Sequence, residues 1–249
     1  MRLWDLGPGR QMVAGAFSDL AVHHHPAVQV TLGGQGSVTV TRDGDTQDAC
    51  RLVVVGSGAR HAVRSDSRSA AVTLYFGLQT WQGSALNALS RKHGQGVWVV
   101  DDGKRLAGAT AAALDADGPR AAADYLVEEL CGTGTGEPRS VHPQLRQAFE
   151  FVAGRVPDHL DVASVAGAVA LSPDYLGRLC KQQTGVSFSA AIRWARLVTA
   201  VGHLAEGVSV TDAAHLAGFA DGAHANRVCW EMTGAAPRDF AHAVRASRI

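Results

Sequence analysis

Two stretches of this chain carry the same succession of local signals, and that duplication limits the fold more than any other feature. Each begins with a short apolar, alanine-rich segment, Val162–Ala170 and Val210–Ala217. Each then turns, starts a second helix on a capping residue and stops at a glycine. In the first, Asp161 caps the short helix, Ser172 caps its successor, and Pro173 fits the first turn, where a missing N–H costs nothing. The helix from Pro173 to Thr184 puts Leu176, Leu179 and Cys180 on one face. Asp174, Gly177, Arg178 and Lys181 lie on the other, and Gly185 ends the helix. In the second, Gly218 makes the turn, Phe219 is placed to plug the angle between the helices, and Asp221 caps a helix that reaches Thr233. Gly234 and Pro237 close it. His224, Arg227 and Glu231 share a face. The small residues Ala166 and Ala214, 48 positions apart, stand where two helices must cross closely. A helix from Ser187 to Ala205 joins the units and fixes their spacing. Two helix-turn-helix units are therefore expected.

The first third of the chain has a different period. Val28, Val30 and Leu32 alternate with Gln29 and Thr31; Val38 and Val40 alternate with Thr39 and Thr41; Val72, Leu74 and Phe76 alternate with Thr73 and Tyr75. Leu52–Val55 and Val97–Val100 are short apolar runs. The turn signals Gly33–Gly36, Asp43–Asp45 and Gly56–Gly58 separate them, which reads as a small antiparallel barrel or sandwich. From Lys104 the pattern becomes helical through Leu114, and a second helix runs from Pro119 to Leu130. The glycine-rich segment from Cys131 to Pro138 cannot anchor a core and reads as a linker. The expected class is α+β: an antiparallel β-barrel domain over residues 1–131, a linker at 132–140, and an all-α domain with two helix-turn-helix units at 141–249.

Composition excludes several alternatives. No stretch approaches the run of roughly 18 apolar residues that a membrane helix needs. The opening MRLWDLGPGR lacks a basic head followed by an apolar run, so no secretory signal is expected and the cytoplasm is the expected compartment. Cys50, Cys131, Cys180 and Cys229 are widely spaced, which fits buried free thiols rather than a zinc or disulfide framework. No nucleophile–base pair or phosphate loop supports a hydrolase or kinase. Net charge is zero, and the part from Arg139 onward has eleven Arg and Lys against nine Asp and Glu. Nucleic-acid binding would then depend on where the cations sit rather than on their sum.

The segments SPDYLGRLCKQQTGVSFSAAIRWARL and SVTDAAHLAGFADGAHANRVCWEMTGAAPRDF resemble the arabinose-regulator (AraC) family of transcription factors, from Val141 to Phe240. The resemblance implies that the second helix of each unit enters a major groove of double-stranded DNA, the two grooves lying on one face. Asp174, Gly177 and Arg178 then hold base-facing positions in the first reading helix, and Ala223, His224 and Arg227 in the second, with Asn226 a further DNA-binding candidate. Arg178 and Arg227 are the leading base readers, because a guanidinium pairs both O6 and N7 of guanine. A solvated salt bridge is the alternative for each. Lys181 and the backbone N–H groups after Ser172 and Asp221 are expected at phosphates. This chain departs from the family at Cys180, Ala225 and Cys229, where larger aromatics are usual, and at Trp230, where a cation is usual.

The strand region carries a second constellation: His23, His25 and Gln29, then Gly56-Ser-Gly-Ala-Arg-His61. Residues 23, 25 and 29 share a parity, so an extended chain would set them on one face, with His24 opposite. The spacing resembles the cupin metal signature, with Gln29 in place of the acid and Gly56 in place of a proline. That resemblance implies a divalent transition metal on His23, His25, Gln29 and His61. The competing reading is a set of polar residues lining a pocket for an organic effector. Many arabinose-regulator relatives fuse such an effector and dimerisation domain to the DNA reader. The expectation is thus a regulator, not an enzyme: a homodimer controlled by a small-molecule or metal effector in the barrel, and able to contact RNA polymerase. Tyr125, Leu126 and Leu130 form a candidate dimer stripe that packing onto the barrel explains equally well. The runner-up is a metal-dependent cupin enzyme fused to a DNA-binding module.

Overall fold

A computed structural model of the protein describes residues 2–15, 20–34, 36–42, 45–46, 49–65, 71–132 and 141–246. The expected linker from residue 133 on, and the turn residues Gln35, Asp43 and Gly44, lie outside them. The described chain runs β1 (Arg2–Asp5), β2 (Arg10–Gly15), β3 (Val28–Gly33), β4 (Val38–Arg42), β5 (Asp45–Thr46), β6 (Leu52–Val55), β7 (Ala62–Ser65) and β8 (Ala71–Phe76). There follow α1 (Trp81–Gly94), β9 (Val97–Val99), α2 (Gly103–Asp117) and α3 (Pro119–Cys131). The C-terminal helices are α4 (Pro143–Ala153), α5 (Val162–Ala168), α6 (Pro173–Thr184), α7 (Phe188–Ala205), α8 (Val210–Leu216), α9 (Gly222–Thr233) and α10 (Pro237–Ala246). Among these residues no helix is long and apolar enough to cross a membrane.

The strands form two antiparallel sheets, ordered β1-β2-β8-β3-β6-β9 and β5-β4-β7. Although Val alternates with Gln and Thr along β3, both faces of the large sheet's centre are covered. Every residue of β3 and β6 is buried. Val28, Val30, Leu32, Leu52 and Val54 point into a core shared with Leu86 of α1, Leu106 of α2 and Leu126 of α3. Val53 and Val55 point the other way, toward Val38, Val40 and Val63 of the small sheet. On that inner face the register sets Gln29 opposite Tyr75 and Thr31 opposite Thr73, whose hydroxyls hydrogen-bond at 3.2 Å. The space between the sheets is therefore apolar at one end and polar at the other. At the polar end the sheets are stitched by an isolated bridge between His23 and His61.

Leu126 belongs to the main core and Tyr125 and Leu130 are half-buried, so packing onto the sheet absorbs much of the candidate dimer stripe. The four cysteines are free thiols, of which Cys50, Cys180 and Cys229 are buried. Desolvation lifts the Cys180 thiol to about 11 and that of Cys229 to about 12, so both stay protonated and unreactive.

Candidate nucleic-acid interface and histidine cluster

The two helix-turn-helix units repeat in atomic detail. In the first, the Leu171 N–H donates to the Ala166 carbonyl at 2.9 Å; in the second, Phe219 N–H donates to Ala214 at 3.0 Å. The residue that reverses the chain is Ala170 in one unit (φ 55°) and Gly218 in the other (φ 77°). Only glycine adopts that conformation freely, so the first turn carries a small strain that the second lacks. Phe219 is buried among Leu197, Ala200, Ala214, Ala217 and Ala225, wedging the second unit open as the sequence suggested.

Beyond the turn the second unit gains one residue, and from there equivalent positions are 49 apart. Both α6 and α9 contain 12 residues. Ser172 Oγ accepts from the Tyr175 N–H at 3.2 Å and Asp221 Oδ1 from the His224 N–H at 2.6 Å. The Asp221 carboxyl sits below the usual carboxylate range, chiefly because of that N–H. At the far ends the Thr184 hydroxyl donates to the Cys180 carbonyl at 2.7 Å, and Thr233 to Cys229 at 2.7 Å. Each helix then ends on a left-handed glycine, Gly185 or Gly234.

This register pairs Arg178 with Arg227, Asp174 with Ala223 and Gly177 with Asn226. Both arginines are exposed, and among the described residues no hydrogen bond or ion pair holds either guanidinium. Asp174, Ala223 and Asn226 are also exposed. Gly177 is half-buried, and a Cβ built there would meet nothing within 4 Å. Its lack of a side chain is therefore not a requirement of the fold, and it leaves the face open to close approach. His224 is half-buried, edge-on to the Phe219 ring at 5.5 Å, so packing claims part of it. Lys181, expected at a phosphate, is exposed and donates to the Gly185 carbonyl at 2.7 Å. Sequence reasoning passed over Tyr175, which is exposed and equivalent to His224, and the 49-residue offset was the signal that could have found it. Trp230, also exposed, occupies the position equivalent to Lys181.

Comparison with known proteins bears on this geometry. A family model described as a helix-turn-helix domain matches residues 165–243. The arabinose operon regulatory protein of Salmonella typhimurium is 32% identical over 111 residues, 41% of this chain and 38% of that protein. Residues 165–243 are thus similar to a helix-turn-helix domain, and 111 residues of the chain to an arabinose operon regulator. The Escherichia coli regulator of the same name is 31% identical over 111 residues, 41% of this chain and 37% of its own. The chain thus spans well under half the length of these relatives. The whole fold is similar to that of ToxT from Vibrio cholerae, with a TM-score of 0.65 at 11% identity, covering 95% of this chain and 98% of ToxT. A structure of ToxT with an unsaturated fatty acid bound aligns at a TM-score of 0.60 and 14% identity, over 92% of this chain and 94% of ToxT. These likenesses show a helix-turn-helix domain behind an N-terminal antiparallel sheet domain, a fold similar to that of ToxT.

The histidines also converge. His23, His25 and His61 are buried, with candidate ligand nitrogens within 4.8 Å of one another. Each Nδ1 lies against a backbone carbonyl: His23 on Ala21 at 2.8 Å, His25 on Ala27 at 2.9 Å, His61 on Ala59 at 2.9 Å. A carbonyl can only accept, so each Nδ1 carries the proton and each Nε2 presents a lone pair. Gln29 Oε1 lies 3.0 Å from His25 Nε2 and 3.3 Å from His61 Nε2, and the Gln29 amide donates to Thr31. Burial pushes the pKa of His23 down to about 3 and that of His61 well down, and lowers that of His25, each aided by neighbouring histidines. The rings are neutral at physiological pH. His24 is half-exposed on the opposite side.

A cavity of about 520 Å³ opens at the seam between the two halves, lined by Pro8, Tyr75, Phe149, Val152, Trp194 and Val198 among others. It borders the inner face of the large sheet at Tyr75 and runs on to α4 and α7, rather than lying wholly between the sheets, where the effector was expected. Trp194 of α7 lines this cavity and also lies 5.1 Å from the His25 ring, so cavity and cluster share a wall.

Proposed function

We propose that this chain is a sequence-specific DNA-binding transcription regulator whose N-terminal domain senses an effector. One observation carries the reading. Two reading helices of equal length present an arginine at the same position, each free to reach a base edge, on a domain of the arabinose-regulator type. Arg178 and Arg227 read guanines, and Asp174, Gly177, Ala223, His224 and Asn226 shape the adjoining contacts. Ser172 and Asp221 hold the helix starts whose N–H groups meet phosphate. The partner is a promoter or operator, the active species a homodimer, and RNA polymerase its target once bound.

The effector reading favours an apolar small molecule in the seam cavity. Its volume suits one, since ligand sites commonly enclose roughly 300–1,000 Å³. It touches α4 and α7 of the DNA-reading domain as well as the sheet, so a ligand there can favour one arrangement of the two halves over another. The fatty acid found in the structurally similar ToxT is of this chemical kind.

The test is selection of bound fragments from random double-stranded DNA by the full chain, followed by affinity measurement on the winning site. A defined sequence whose binding Arg178→Ala and Arg227→Ala each weaken supports the reading. Enrichment of no sequence contradicts it.

A further inference from the structure

The loops that carry the histidines also seat the ends of the reading helices. His23 and His25 follow Ala21, whose N–H donates to the carbonyl of Gly234, the cap of α9, at 3.1 Å. The next donor on that loop, His24 N–H, reaches the Glu231 carbonyl of the same helix at 3.3 Å. A Cβ on Gly234 would lie 2.4 Å from the Ala21 carbonyl oxygen and 2.9 Å from His23 Nδ1, so the two backbones touch with no room for a side chain. His61 belongs to the other loop. There a Cβ on Gly58 would lie 3.0 Å from Val186 and 3.3 Å from Gly185, the cap of α6. The loops are joined to each other by the His23–His61 backbone pair, at 2.8 and 3.0 Å, and by Gly58 N–H on the His25 carbonyl at 2.9 Å.

The cluster fits a metal by its hydrogen-bond accounting. Three Nε2 lone pairs and the Gln29 carbonyl oxygen face one another, and none of these four atoms has a proton to offer. His23 Nε2 is buried without a partner. Turning the Gln29 amide over would satisfy His25 and His61, but His23 would still be left. Imidazoles that donate Nδ1–H to carbonyls are the usual form of metal-ligating histidine. The neutral set of three nitrogens and one oxygen suits a first-row divalent ion from iron to zinc. With metal–nitrogen bonds of about 2.1 Å, tetrahedral ligands stand about 3.4 Å apart, so filling the site draws the imidazoles in from their present spread of up to 4.8 Å and ties His61 of one loop to His23 and His25 of the other.

We propose that His23, His25, His61 and Gln29 bind one divalent transition-metal ion, and that the bound ion locks the two reading helices in place by cross-linking the loops that seat Gly185 and Gly234. The consequence for DNA rests on the regulator reading above; the lock itself does not. A cross-link between loops removes freedom that DNA binding would otherwise have to remove, so the loaded chain binds its site more tightly.

The experiment uses the whole chain of 249 residues stripped with a chelator and titrated with Zn²⁺ or Co²⁺. One ion per chain is expected, with the visible bands of tetrahedral Co²⁺. Amide exchange at Gly185–Val186 and Gly234–Ala235 should slow about tenfold on loading, since both segments lose local opening. Affinity for a selected DNA site should rise by about tenfold, within the usual range of coupling between sites. His61→Ala abolishes uptake. Gln29→Glu, which adds a negative charge to the ligand set, tightens it by about tenfold or more, a gain that misfolding cannot produce. A chain that takes up no stoichiometric metal overturns the site. Full occupancy with unchanged exchange at both caps overturns the lock, and slowed exchange with unchanged or weaker DNA affinity overturns its consequence for DNA. A chain that selects no DNA refutes the regulator reading, and the uptake and exchange measurements still decide this one.

Discussion

Replacing Phe219 with alanine removes the wedge that sets the angle between α8 and α9. The ring is buried, and its neighbours Ala200, Ala214, Ala217 and Ala225 have no rotamers with which to refill the space. A cavity of about 20 Å³ already lies beside Phe219, Ala225 and Cys229, where this chain carries small residues. The deletion enlarges it. Phe→Ala changes in such settings cost about 3–5 kcal/mol, the upper half applying where the surroundings cannot collapse. For a chain of this length each kcal/mol moves Tm by about 2–4 °C, so Phe219→Ala should melt about 6–20 °C lower. Phe219→Leu, which keeps most of the volume, should cost under about 1.5 kcal/mol. The assay is thermal unfolding followed by circular dichroism, alongside binding to the selected DNA site. The alanine variant should lose the contacts made by Arg227 and keep those made by Arg178. A loss below about 1 kcal/mol, or unaltered binding through the second unit, would show that Phe219 does not set the helix angle.

Further consequences are simpler to state. Arg178→Ala and Arg227→Ala should each weaken specific binding by about 1–3 kcal/mol, or roughly 5- to 150-fold, without changing Tm. Ser172→Ala should destabilise by about 1 kcal/mol through loss of the cap on α6, read by denaturant unfolding. The Asp221 cap gives a pH dependence of known sign. Its carboxyl is depressed in the folded chain, so the stabilisation is complete above about pH 4, the unfolded value. It disappears as pH falls through the lower folded value, and Asp221→Asn should flatten that acid limb of the stability curve.

The C-terminal architecture was legible because its signals are local. Asp161, Ser172 and Asp221 cap the helices they were expected to cap, and Gly185 and Gly234 stop the last two. Turn chemistry of this kind depends on neighbours in sequence and survives without knowledge of the fold. The strands around Val30, Val54 and Leu74 were legible for the same reason. Helix α1 was not, because the face it buries is Gln82, Gly83, Ser84, Asn87 and Ser90 together with Leu86. Close backbone approach, such as Gly83 against the Gly77 carbonyl, replaces the apolar stripe a periodicity search looks for. β2 and β7 pair with the distant strands β8 and β4, β1 pairs with β2, and none of the three carries a long alternating run. In the candidate site, parity placed His23, His25 and Gln29 together, yet His23 and His25 precede β3 rather than lie on it. The seam between Gly234 and Ala21 had no sequence signature at all, since contacts between backbones leave none.

The account depends on two reading helices acting on adjacent grooves of one DNA face. Methylation interference on the selected site, with guanine N7 as the reporter, tests this most directly. Two patches per protomer, about 10 base pairs apart on the same face, are predicted, with Arg178→Ala erasing one of each pair and Arg227→Ala the other. A single patch, or a pattern that neither substitution changes, would contradict it.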